Sequence, residues 1–245
     1  MLLVFIDETS DAKFKEYLGF SIATINDKFY ASIKTTALQI LDGIGWDQSI
    51  EFKGSYLFSQ TRGCPDVVVE RRIEAAHALL DLNVASKNRR MKFTYGRMRS
   101  TDHRHGYLGA LPPLLSKALP KPPRGAGKNL VSIACDERPD ISRRELHEAL
   151  RPVVEFCGYV LLEEVLVVQS SLEAVGLMFA DLVGYLAGRV DTISHDAELF
   201  EGLTQEQLDN NGKIRKLRTS KDLISKVRKL TLYEHSSLQV ESGAA

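Results

Sequence analysis

Leu2-Leu3-Val4-Phe5-Ile6 is an unbroken apolar run that opens almost at the first residue and ends in two adjacent carboxylates, Asp7 and Glu8. A short apolar run rich in β-branched and aromatic residues reads as a strand buried on both faces. Together with the strands and helices that follow it along the chain, this run points to an α/β protein. Burying an ionised carboxylate at the strand's end costs several kcal/mol unless a metal ion, a Lys or Arg, or backbone amides meet it. Asp7 is therefore a functional suspect and not a simple turn residue.

The rest of the chain supports a mixed sheet. Residues 17–25 alternate like a second strand, Asn26-Asp27 marks a turn, and 28–34 reads as a third strand or the lead into a helix. Together these predict an antiparallel meander at the N-terminus. Residues 37–41 are helical, with Gly43 and Gly45 closing the helix. Helical periodicity recurs over 66–83, with Asp66 as N-cap, over 106–119, and over 142–155, where Ser142 and Glu145 have capping-box spacing. Residues 91–98, 130–136 and 161–169 read as strands, and 172–190 as a long helix. A domain over 1–203 is expected, followed by a polar, partly helical basic extension over 204–245.

Two further acids repeat the design of Asp7. Asp136 ends the strand Val131-Ser132-Ile133-Ala134-Cys135, and its own face of that strand carries only Ser132 and Ala134, which leaves room beside the acid. Asp181 sits in Leu177-Met178-Phe179-Ala180-Asp181-Leu182-Val183, an apolar context in which a lone acid is out of place. Gly176, Ala180, Gly184 and Gly188 recur every four residues there, a stripe that lets the helix backbone approach a sheet closely. Two strand acids and one late-helix acid form the arrangement that two-metal phosphoryl-transfer sites use, since each ion demands mostly oxygen ligands. Glu51 is a fourth acid, sharing a face with Lys53 if Ile50–Lys53 is a strand. Glu8 faces away from Asp7 and is the weaker metal candidate.

Three motifs resemble a known family. Phe5-Ile6-Asp7-Glu8-Thr9-Ser10-Asp11 is similar to the opening motif of the bacterial and phage family called domain of unknown function 3800. Ile50-Glu51-Phe52-Lys53-Gly54 is similar to its internal E-x-K segment, and Leu177–Val183 to its late helix motif. The resemblance spans most of residues 2–190. It implies a ribonuclease-H-like mixed sheet, with the N-terminal meander flanked by helices and a metal-dependent nuclease site. The acids it implies are Asp7, Glu51, Asp136 and Asp181. Ser10 stands where the family usually has Gly, and Met178 where it usually has Gln; the second change bears on substrate positioning more than on metal binding.

Net charge excludes nothing, because 32 Lys and Arg balance 32 Asp and Glu. Distribution says more. Arg89, Arg90, Lys92, Arg97 and Arg99 fall in one basic stretch, and Lys213, Arg215, Lys216 and Arg218 in another, each suited to a phosphate backbone. Cys64, Cys135 and Cys157 lack metal or disulfide spacing and read as reduced thiols. With neither a signal peptide nor an apolar run of about 18 residues, the expected location is the cytoplasm. The histidines form no ligand pair, and no phosphate-binding glycine loop is present. The expected function is phosphodiester hydrolysis on DNA or RNA with Mg²⁺ or Mn²⁺, two ions in all, in a phage-defence or mobile-element setting. Asp7, Asp136, Asp181 and Glu51 would bind metal, and Lys53 would contact the phosphate or balance the acids. The alternative is a non-catalytic nucleic-acid-binding or protein-interaction module on the same fold.

Overall fold

The computed structural model describes residues 1–10, 17–59, 61–84, 90–99, 103–122, 129–169, 171–198, 222–223, 225–227 and 231–234. Seven strands make one mixed sheet: β1 (Leu2–Ser10), β2 (Tyr17–Asn26), β3 (Met91–Arg99), β4 (Leu130–Asp136), β5 (Val160–Leu161), β6 (Leu166–Val168) and β7 (Thr231–Glu234). Their order is β5-β4-β1-β2-β3-β7, with β6 also on β4. The β1–β2 and β2–β3 pairs are antiparallel, whereas β4 runs parallel to β1. This is the mixed sheet with an antiparallel meander that the sequence leads one to expect, with one change of membership. The third strand of the meander is β3, because residues 27–43 form helix α1. Asn26 caps that helix by accepting from the Lys28 amide at 3.1 Å, and Ile33, Ala37 and Leu41 at four-residue spacing are its buried face.

Among the described residues, four more helices flank the sheet: α2 (Val69–Val84), α3 (His103–Ala118), α4 (Arg143–Phe156) and α5 (Val175–Glu198). One apolar core lies between the sheet and α1, α2 and α5, and the other between the sheet and α3 and α4. Strand alternation divides β1 between them. Val4 and Ile6 enter the α3/α4 core, while Phe5 packs against the α5 core, so Asp7 points to the α5 side. In β4 likewise, Val131, Ile133 and Cys135 enter the α3/α4 core, leaving Ser132, Ala134 and Asp136 on the α5 face.

Boundaries shift where local signals compete with packing. Helix α2 starts at Val69, three residues after the expected cap Asp66. The strand expected over 161–169 breaks into β5 and β6, which pair with successive halves of β4. The capping box at α4 forms as expected, with Ser142 and Glu145 bonding reciprocally. Residues 231–234 add a parallel edge strand to β3.

Candidate active site

The parallel register pairs Phe5 with Ala134 and Ile6 with Cys135, so the next step sets Asp7 beside Asp136 on the α5 face. Helix α5 crosses that face at very short range. A Cβ at Gly176 would sit 2.3 Å from the Phe5 ring, and one at Gly184 would sit 2.4 Å from Thr9 Oγ1. Larger residues there would lift the helix away. The small-residue stripe therefore presses α5 onto β1 on both sides of Asp7, and delivers Asp181 to the same place.

The fourth acid arrives on an irregular segment. Residues 50–53 are not a strand, contrary to the conditional reading of Glu51 and Lys53; Lys53 is extended and leads into a 3-10 turn, Gly54–Tyr56. The two side chains still meet, with Lys53 Nζ 3.0 Å from Glu51 Oε2. The Gly54 amide donates to Asp181 Oδ2, fastening this segment to α5. Glycine is required at 54 because a Cβ would stand 2.5 Å from the Cβ of Tyr185.

Asp7, Glu51, Asp136 and Asp181 thus line one cleft of about 160 Å³, together with Lys53 and, on the far side, Glu8, Glu137, Arg138 and Tyr107. Six acids line it against two cations. Asp7 is only 7% exposed; its Oδ1 accepts from the Glu8 amide at 2.8 Å. Burial, with repulsion from Asp181 and Asp136, holds the Asp7 carboxyl well above the usual carboxylate range, despite the opposing pull of Lys53. Burial also raises Asp181 to about 6; the Gly54 amide opposes this rise, and Glu51 and Asp136 add to it. Lys53 is raised despite the opposing effect of burial, because Glu51 and the neighbouring acids favour its charged form.

The wall opposite holds a residue that the sequence did not single out. Arg138 follows β4, forms an ion pair with Glu8, and makes a two-point contact with Asp140 at 2.9 and 2.7 Å. Its guanidinium lies 4.8 Å from the centroid of the Tyr107 ring. Glu8 is thereby paired directly with a cation, whereas the cation nearest Asp7 and Asp181, Lys53, is ion-paired to Glu51 and only partly offsets their rise.

Hard oxygen donors from four separate segments, two of them too acidic a neighbourhood to ionise freely, suit a divalent cation. Among the described residues, no three His, Cys, Asp or Glu side chains stand close enough to hold one ion as they are placed. The carboxylates ring the cleft, and drawing them onto a cation would relieve the repulsion that raises Asp7 and Asp181.

The basic residues are distributed unevenly. Lys92 donates to the carbonyls of Lys117 and Ala118 at 2.7 and 3.0 Å, closing the end of α3, and Arg90 lies over the Phe29 ring at 5.5 Å. Arg97 pairs in register with Gly19, which pairs with Thr9, so it shares the sheet face of Asp7 two strands away. Arg99 ends β3. Arg89, Lys213, Arg215, Lys216 and Arg218 lie outside the described residues.

The fold and cleft define an α/β protein with an acid-lined site at the ends of its central strands. The chain is similar to ribonuclease H2 from Pyrococcus horikoshii OT3, at 13% identity and a TM-score of 0.40, covering 94% of this chain and 100% of that one. It is also similar to the RNase HII of Archaeoglobus fulgidus, whose structure was solved as a complex with PCNA, at 12% identity and a TM-score of 0.42, covering 100% and 98%. No protein-family model and no curated protein matches the chain. Among the described residues no helix is long and apolar enough to cross a membrane.

Proposed function

We propose that this protein hydrolyses phosphodiester bonds in nucleic acid with the help of Mg²⁺ or Mn²⁺. The observation that carries the reading is the convergence of Asp7, Glu51, Asp136 and Asp181 on one cleft, with Asp7 and Asp181 raised by burial and mutual repulsion. These four side chains would hold the metal. When bound, divalent ions supply charge neutralisation at the phosphate and a water acidic enough to attack it near neutral pH. The membership implied by the three motifs, in the family called domain of unknown function 3800, belongs to the same proposal.

The chain's own groups supply the rest. Lys53, held by Glu51, places an ammonium at the cleft where a non-bridging phosphate oxygen would lie. Arg138, fixed by Asp140 and Tyr107, balances Glu8 on the wall opposite. Arg97 and Arg99, with the basic residues of the C-terminal stretch, would track the backbone of the polymer.

Labelled single- and double-stranded DNA, RNA and hybrid oligonucleotides incubated with Mn²⁺ test this directly. Cleavage is expected, abolished by EDTA, and reduced by about a thousandfold or more in Asp7→Asn, an order typical of losing an essential catalytic group. The variant should keep or raise its thermal midpoint. Oligonucleotide binding that persists in EDTA, with no turnover under either metal, would identify a non-catalytic binding module instead.

A further inference from the structure

Arg72 on α2 is 2% exposed, and among the described residues its hydrogen bonds go to no carboxylate. Its guanidinium instead donates to five backbone carbonyls: Nε to Val67 at 2.8 Å, Nη1 to Tyr56, Ser59 and Arg62 at 2.8, 2.7 and 3.0 Å, and Nη2 to Cys64 at 2.6 Å. The Trp46 ring lies beneath it at 5.7 Å. One acceptor, Tyr56, ends the Gly54–Tyr56 turn, and the other four belong to the irregular segment between that turn and α2. Buried carbonyls without partners are costly, and this segment has no strand or helix ladder to satisfy them.

We infer that Arg72 is the positioning residue of the candidate active site, setting where Glu51, Lys53 and Gly54 stand although it touches none of them. The connection is short. Arg72 holds the Tyr56 carbonyl; Tyr56 donates to the Lys53 carbonyl at 2.9 Å; the next amide, Gly54, holds Asp181. The turn is thus gripped from two sides, by Arg72 on α2 and by Asp181 and Tyr185 on α5. A planar guanidinium has five N–H donors directed outward in one plane, and with the two Nη1 hydrogens shared among three carbonyls it reaches all five acceptors, which an ammonium with three donors cannot. The sequence gives no sign of this role, because Arg72 lies among Glu70, Arg71 and Glu74 and looks like part of a solvated helix face.

The metal-affinity half of the test rests on the proposed function; the exchange half does not. Hydrogen–deuterium exchange of metal-free Arg72→Lys should show the Gly54–Leu57 amides exchanging about tenfold faster or more, with β1, β2 and β3 unchanged. Mn²⁺ affinity by calorimetry should fall by about 10–100-fold, as for other residues that orient metal ligands. Arg72→Gln, which keeps a donor pair and removes the charge, should show the same local loosening, so loss of bonds and not of charge is responsible. Unchanged protection at Gly54–Leu57 would overturn the inference. Equal acceleration across β1–β3 in both variants would also overturn it, by making Arg72 a general stabiliser. A wild type that binds no Mn²⁺ would refute the metal reading, and the exchange result would still decide the role of Arg72.

Discussion

Two buried charged groups, Arg72 and Asp7, lie on the same side of the sheet and are treated in opposite ways. Arg72 has five carbonyl partners and a ring beneath it, so its burial is compensated almost entirely by hydrogen bonds. Asp7 accepts from the Glu8 amide, and its strongest electrostatic neighbours are acids that repel it. A satisfied buried charge fixes a structure; an unsatisfied one stores a preference for whatever would neutralise it. The first property suits a scaffold and the second a binding site.

The contrast breaks most visibly on truncation. Arg72→Ala would strand several buried carbonyls and should lower the unfolding free energy by about 3–5 kcal/mol, measured by urea denaturation. Asp7→Asn removes a repelled acid and should leave stability unchanged or raise it. A large loss there would make Asp7 structural.

The pH dependence sharpens the same difference. Asp181 is raised to about 6, above its unfolded value near 3.8. A raised carboxyl contributes stability that is complete below the unfolded value and lost as pH climbs through the folded one. The metal-free protein should therefore lose stability between about pH 4 and 6, on the order of 1–2 kcal/mol, and Asp181→Asn should flatten that slope. Asp7 acts with the same sign. Denaturation midpoints across this range, with and without Mn²⁺, provide the measurement.

Smaller effects test intermediate cases. Lys53→Met removes a cation from the acidic cleft and should cost about 1 kcal/mol of stability while tightening Mn²⁺ binding and slowing turnover. Opposite movement of affinity and rate is the signature to look for. Arg144→Ala breaks an exposed pair with Glu148 at 2.8 Å and should leave the denaturation midpoint unchanged.

How much of this could be read from the sequence depends on whether a feature is periodic. The apolar run before Asp7, the small face of β4 beside Asp136 and the four-residue stripe around Asp181 are local patterns, and each predicts a surface that must be buried against another. Their convergence follows from the register of β1 and β4 and the close approach of α5. Residues 28–34 carry apolar positions compatible with either a third strand or the lead into a helix; the Asn26 cap and the spacing of Ile33, Ala37 and Leu41 decide for helix, so β3 takes the third place in the meander. Arg72 and Arg138 were invisible for a different reason. The partners of Arg72 are backbone carbonyls in an irregular segment, and Arg138 is tied to the cleft by Glu8 on a distant strand, so neither role leaves a periodic signal in the chain. Lys92 shows the converse: it belongs to a basic stretch in the sequence, yet its ammonium closes the end of α3.

The most direct measurement is a calorimetric titration of Mn²⁺ into the wild type and into Asp181→Asn, repeated in the presence of a short oligonucleotide. Saturable binding by the wild type that is lost in the variant is the expected result, since Asp181 joins the acid cluster to the segment that Arg72 holds. Equal binding by both proteins, or none by the wild type even with the oligonucleotide, would contradict a cation site at this cleft.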